Sequence, residues 1–107
     1  LIQAHPELKG IFCANDVMAL GAVEALQAAA KKEQVVVVGV DFIEEAGESI
    51  RRGELDATVA MSPFLFGKGG LILALKVLEG HELQDDIYWS PLGLVHGENL
   101  EAFSGWR

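Results

Sequence analysis

The sequence predicts an α/β fold, with a three-layer, mainly parallel sheet and flanking helices. Two apolar runs, residues 11–14 and 35–40, each end abruptly in polar residues, and a helical pattern follows each of them. The order along the chain is strand, helix, strand, helix, strand, helix, strand. Such alternation implies parallel strands that are joined by right-handed crossovers.

The first two units are predicted from their caps and their apolar spacing. A helix is expected over residues 17–30, and Asp16 is a candidate N-cap because a carboxylate accepts from the free N–H groups of a first turn. Residues 35–40 are almost all valine, which is typical of a strand buried on both faces. A second helix follows Asp41, which is a candidate cap for it, and Gly53 is its natural end.

The second half of the chain contains a third strand and a long helix. Residues 57–61 form the strand, and Ser62-Pro63 is a helix start, with the serine as cap and the proline at the first helical position. The helix is expected to reach about Glu79 and to stop at Gly80. It is unusually apolar and contains three glycines, which suggests either close approach to another backbone or a frayed first turn. A short strand at 92–95 and one helical turn in the tail, residues 99–107, complete the order.

Composition excludes several classes of function. The 107 residues allow one domain at most, and a net charge of −8 without any basic run argues against nucleic-acid binding by this segment. No apolar run reaches the roughly twenty residues that a membrane span needs. Cys13, the only cysteine, lies in an apolar strand, and we expect it to be a small buried residue. Because the chain begins with Leu1 rather than Met, we expect it to be a piece of a longer protein.

Polar residues at the strand ends are the candidate site. In open α/β sheets ligands bind outside the carboxyl ends of the strands, where Asn15, Asp16 and Asp41 fall. Each of them is either a helix cap or a ligand contact. A carboxylate and a carboxamide together suit vicinal hydroxyls, because the carboxylate accepts hydrogen bonds from two hydroxyl groups and the amide both donates and accepts hydrogen bonds. Phe42 either offers an apolar face to a sugar ring or belongs to the core.

No catalytic constellation is present in the sequence. There is no G-x-S-x-G elbow, no P-loop and no G-x-G-x-x-G after a strand, and the three histidines have no metal-ligand spacing. We therefore expect no catalytic residue, no metal and no cofactor. A small flavodoxin-like or receiver-like enzyme remains an alternative.

Three segments carry a resemblance to a known family. Residues 5–22 (HPELKGIFCANDVMALGA), 37–41 (VVGVD) and 52–60 (RGELDATVA) resemble, in order and spacing, the type 1 periplasmic sugar-binding proteins, the ribose-binding-like receptors of ABC transporters. The resemblance implies that Asn15 and Asp41 hydrogen-bond sugar hydroxyls. Met61 stands where the family often has a Gln contact, which argues against ribose as the ligand.

The resemblance also implies an organisation and partners. Residues 1–62 would be a portion of the C-terminal lobe, residues 63–90 a crossover segment that packs on a missing N-terminal lobe, and residues 91–107 the hinge return and C-terminal tail. The implied partners are a sugar or similar small molecule and the membrane subunits of an ABC transporter. The implied location is the periplasm, or the outer surface of a Gram-positive cell with a lipid anchor.

The resemblance leads to one further expectation and one alternative. Without its partner lobe, the apolar helix of the isolated segment is expected to self-associate or to be held loosely. The main alternative is the effector-sensing domain of a lactose-repressor-type transcription regulator, which shares the lobe architecture.

Overall fold

A computed structural model of the protein describes residues 1–106, and these residues contain one four-stranded sheet. The strand order equals the chain order; β1, β2 and β3 are parallel, and β4 is antiparallel to β3. The predicted α/β class with a mainly parallel sheet is confirmed. The strands are β1 (Gly10–Phe12), β2 (Val36–Asp41), β3 (Ala57–Met61) and β4 (Leu92–His96).

Three α-helices alternate with the strands, as predicted. They are α1 (Asp16–Ala28), α2 (Glu44–Arg51) and α3 (Pro63–Leu78), and short 3-10 helices span Lys32–Gln34 and Leu100–Trp106. The predicted ends of the second and third helices are confirmed, since Gly53 and Gly80 have φ angles of +72° and +84°. The start of α3 is also confirmed, since the Leu65 N–H donates to the Ser62 hydroxyl at 3.3 Å and Pro63 is the first helical residue.

Neither aspartate that the sequence offers as a candidate helix cap has that role in the structure. Asn15 caps α1, because its Oδ1 accepts from the backbone N–H of Met18 at 2.9 Å. Asp16 is already the first residue of the helix. The residue before α2 is Ile43, and no side chain caps that helix, so Asp41 does not serve it.

The hydrophobic core lies between α1, α2 and one face of the sheet. The strand register places Val37, Thr58, Ala60 and Val95 on this face, and all four are buried. The two helices contact each other above it, and Cys13 is buried there as expected. The core cluster is Cys13, Ala19, Val23, Leu26, Val35, Val37, Phe42, Ala46, Ile50, Leu55, Ala60, Val95 and Leu100.

The opposite face of the sheet is apolar and largely uncovered. Register places Phe12, Val38, Val59 and Leu94 on it, and Phe12 and Leu94 are 71% and 55% exposed. The third layer of the predicted fold is therefore not formed within residues 1–106. For the same reason β2 alternates between buried and more exposed residues, and the expectation that both of its faces are buried is wrong for the described chain.

The tail closes the sheet beside β4. The Phe103 ring lies directly over Gly93, where any Cβ would collide with it, and Leu100 is buried in the core. The predicted helical turn is thus present, with Leu100 and Phe103 both packed inward. Arg107, the last residue of the predicted tail, lies outside the described residues.

The long helix α3 differs from the other helices in its burial. All of its residues are described and none of them is buried, although most are apolar. Among residues 1–106, no helix combines the length and the apolarity that crossing a membrane requires.

Candidate functional site

The candidate site lies at the carboxyl edge of the parallel strands. Asp41 and Met61 are the last residues of β2 and β3, and Asn15 follows β1 by three residues. β4 runs the other way, so its first residue, Leu92, pairs with Met61 at this edge. The parallel register therefore brings Asn15, Asp41 and Met61 to one edge of the sheet, and Phe42 follows Asp41 at that edge.

The turn after β2 is backbone-strained. Asp41 and Phe42 have φ angles of +113° and +61°, a region that non-glycine residues rarely occupy. Consecutive residues of this kind persist only where the surrounding structure holds them, and they cluster at functional sites. The turn changes the direction of the chain immediately beyond the strand.

A cleft of about 620 Å³ opens beside this turn. Its walls are mainly apolar, and its two carboxylates belong to Asp41 and Glu44. Within the described chain no group donates a hydrogen bond to the half-buried Asp41 carboxylate, which leaves its oxygens available to a ligand. The lining residues are Asp41, Phe42, Ile43, Glu44, Met61, Pro63, Phe66 and Gly67.

Asn15 and Phe42 have different positions from Asp41 and Met61. Asn15 lies at the same edge but outside the residues that line the cleft, and its Oδ1 is occupied by the Met18 N–H. Its amide nitrogen has no partner among residues 1–106 and can donate to a ligand. Phe42 borders the cleft but is only 1% exposed and belongs to the core cluster, which agrees with the core alternative rather than with ring stacking.

Asp16 fits neither role that the sequence predicts for it, since it caps no helix and is not exposed to a ligand. Its side chain is fully buried, with 0% exposure. Oδ2 accepts from the Ile43 N–H at 2.9 Å, and Oδ1 accepts from the Thr58 hydroxyl at 2.5 Å. Burial raises the pKa of Asp16 above its usual value, while these hydrogen bonds oppose the increase and the nearby Asp41 charge adds to it.

Two sequence signals point to the role of Asp16. Gly39 interrupts a run of valines, and a glycine inside a strand often marks close approach of another group. A Cβ at Gly39 would collide with the Asp16 carboxylate and crowd Ala19. Thr58 is the second signal, because it is a polar residue on the core-facing side of an apolar strand.

The chemical groups that this edge offers are a carboxylate and apolar walls. Within residues 1–106, no three His, Cys, Asp or Glu side chains are placed so that they could hold a metal ion. An available carboxylate surrounded by apolar walls can accept hydroxyl protons while C–H groups contact the walls.

Similar proteins share both the sequence and the fold. Residues 1–82 match the family described as periplasmic binding protein domain. The ribose import binding protein RbsB of Salmonella typhimurium is 43% identical over 84 residues, which are 78% of this chain and 28% of that protein. The D-allose-binding periplasmic protein of Escherichia coli is 44% identical over 73 residues, 68% of this chain and 24% of that one.

A solved structure agrees in fold along nearly the whole chain. The periplasmic solute binding protein of an ABC transporter from Actinobacillus succinogenes, with bound D-allose, superposes with a TM-score of 0.81 at 32% identity; the match covers 94% of this chain and 36% of that one. The chain thus spans between a quarter and about a third of the length of these relatives. By its sequence match over residues 1–82 and by this fold, the chain belongs to the periplasmic binding protein domain family.

Proposed function

We propose that this chain is part of a sugar-binding receptor that delivers its ligand to an ABC importer. The observation that carries the proposal is the Asp41 carboxylate, which stands at the carboxyl edge of the sheet, borders the cleft and has no donor within the described chain. A carboxylate of this kind accepts two hydroxyl protons of a polyol in charge-assisted hydrogen bonds.

The cleft walls agree with a ligand that has one hydroxylated edge and one C–H face. Met61, Pro63 and Phe66 contribute apolar surface to the cleft that the carboxylates of Asp41 and Glu44 also line. Met61 cannot form the strong hydrogen bonds of an amide, so a ligand that needs a third polar contact at this point would lose it. A sugar or cyclic polyol with a C–H group facing Met61 fits best.

The relatives favour transport over gene regulation and over catalysis. The two curated relatives are named as binding proteins for ribose and D-allose, and the solved neighbour is named as an ABC transporter protein. We propose accordingly that the whole protein is not an enzyme and lies in the periplasm, or outside a Gram-positive cell with a lipid anchor. Its partners would be the membrane subunits of the importer.

We also propose that residues 63–90 leave the lobe formed by residues 1–62 and pack on another part of the polypeptide, with residues 91–107 returning. Antiparallel neighbours such as β3 and β4 need only a short hairpin between them. Here α3 and the following segment lie between the two strands, and no residue of α3 is buried. A long apolar connection where a hairpin would suffice supports a second packing surface elsewhere in the protein.

Calorimetry on the full-length protein with ribose, D-allose and myo-inositol tests the function. We expect saturable binding of at least one of them. Asp41→Ala should weaken that binding by about 1.5–3 kcal/mol for each charge-assisted hydrogen bond lost. Glu45→Ala removes an exposed acidic residue of α2 that does not line the cleft, and it should leave the affinity unchanged.

Two outcomes would contradict the proposal. Unchanged affinity of Asp41→Ala together with a lower melting temperature would make Asp41 a structural residue only. Tight operator-specific DNA binding by the full-length protein would identify a regulator instead.

A further inference from the structure

We infer that Asp16 is a positioning residue of the binding site: it holds the turn after β2 so that the Asp41 carboxylate is presented to the cleft. The inference rests on the proposed function for the identity of the ligand. The positioning itself rests on contacts within residues 1–106, and those can be tested without any ligand.

The Asp16 side chain connects three elements of the fold. It starts in α1, accepts the Thr58 hydroxyl of β3 at 2.5 Å and accepts the Ile43 N–H beyond β2 at 2.9 Å. One buried carboxylate therefore joins three elements of the fold at the level of the strand ends. Because Oδ1 and Oδ2 have separate partners, the carboxylate plane is fixed as well as its position.

The turn after β2 is the strained segment that Asp16 holds through a hydrogen bond. The Ile43 N–H donates to Asp16, and the two residues just before Ile43, Asp41 and Phe42, are consecutive non-glycine residues with positive φ. Such a conformation requires an external restraint. The restraint acts at Ile43, two residues beyond Asp41, so it fixes the backbone into which the strained pair leads and thereby where the Asp41 side chain begins.

Asp16 does not act as a simple helix cap. Asn15 already caps α1 through the Met18 N–H, so the helix does not need Asp16 as well. A buried carboxylate is unfavourable unless it is hydrogen-bonded, and here it also lies close to the Asp41 charge. The sheet makes room for it at Gly39, where any side chain would collide. An unfavourable group that is accommodated in this way has a use other than capping.

The test compares two aspartates that both accept a backbone N–H close to β2. Asp56 accepts the Val37 N–H at 2.7 Å and pairs with Lys32 at 2.8 Å, at the opposite edge of the sheet from the cleft. In the full-length protein, Asp16→Asn should lower affinity for the tightest of ribose, D-allose and myo-inositol by about tenfold or more, the equivalent of one charge-assisted hydrogen bond. Asp56→Asn should lower the melting temperature and leave that affinity within about twofold.

A double-mutant cycle separates positioning from general stability. If Asp16 acts through Asp41, Asp16→Asn in an Asp41→Asn background should cost less than about twofold in affinity. Thr58→Ser keeps the hydroxyl and should preserve binding, whereas Thr58→Val should weaken it. Additive losses in the double variant would overturn the inference.

A ligand-independent measurement separates this inference from the proposed function. Backbone chemical shifts and scalar couplings report φ at Asp41 and Phe42, and Asp16→Asn should shift both residues out of the positive region while Asp56→Asn should not. If none of the three ligands binds but the angles change, the proposed function fails and the positioning role stands. If the angles stay positive in Asp16→Asn, the positioning role is wrong whether or not a ligand binds.

Discussion

Helices α1 and α3 begin in the same way but are packed differently. Each follows a parallel strand, and each is capped by the side chain of the preceding residue, Asn15 or Ser62. α1 buries Ala19, Val23 and Leu26 against the sheet, whereas α3 buries nothing although its residues are more apolar. Apolarity creates the tendency to be buried, but burial itself requires a facing surface.

The difference arises from the strands that the two helices connect. α1 joins the parallel strands β1 and β2, and a parallel connection must cross the face of the sheet. In the chain, α3 comes between β3 and β4; these strands are antiparallel, so the connection between them need not cross the sheet. Topology thus fixes α1 on the core and leaves α3 free to serve another surface.

The largest expected effect comes from matched leucines in the two helices. Leu26 in α1 is 0% exposed, and Leu26→Ala should destabilise the protein by about 2–5 kcal/mol because it leaves a cavity. Leu75 in α3 is 48% exposed, and Leu75→Ala in the isolated chain should change the free energy of unfolding by no more than about 0.5 kcal/mol. Urea denaturation measures both. In the full-length protein the cost of Leu75→Ala should rise, and equally small values in both contexts would contradict the packing of α3 on another part of the protein.

Glycines in the two regions provide the second contrast. Gly39→Ala would push a methyl group into the Asp16 carboxylate and Ala19, and we expect this overpacking to lower the free energy of unfolding by about 1–3 kcal/mol. A Cβ at Gly70 in α3 meets nothing, so Gly70→Ala should favour the helix of the isolated chain by about 1 kcal/mol. Far-UV circular dichroism should show the gain in helix. In the full-length protein the sign should reverse if another backbone approaches Gly70 closely, and a stabilising Gly70→Ala there would argue against that approach.

The smallest expected effect is weak self-association of the isolated 107 residues. The exposed side chains of Phe64, Leu71, Leu75 and Leu78 form an apolar surface on α3 that solvent disfavours. Sedimentation should show either reversible association or a loosely held helix, and the Leu71→Glu/Leu75→Glu variant should be monomeric. Gln27→Glu, on the exposed side of α1, is the charge control. Sugar binding by the isolated chain should be weak, and a clean monomer with full sugar affinity would refute this account.

The sequence was sufficient for the elements and for the edge at which the site lies. Caps, glycine stops and apolar spacing predict three helices and four strands, the parallel order predicts that Asn15 and Asp41 share one edge, and the family resemblance adds Met61. The roles of the aspartates were not predictable locally. An aspartate after a strand has the same sequence signal whether it accepts from its own helix or from a distant loop, so the sequence predicts either a cap or a ligand contact at Asp16 and does not reveal its bond to Thr58.

Local sequence determined what depends on neighbours along the chain: the strands, the helix starts at Asn15 and Ser62 with their hydrogen bonds to the first turn, and the family resemblance. Only the tertiary structure decided which helix is buried, which face of the sheet is covered and how Asp16 restrains the turn at Asp41 and Phe42. The physical reason is distance along the chain. Caps and turns are satisfied within about four residues, whereas the Asp16–Thr58 bond and the cover of a sheet face form only when remote segments meet.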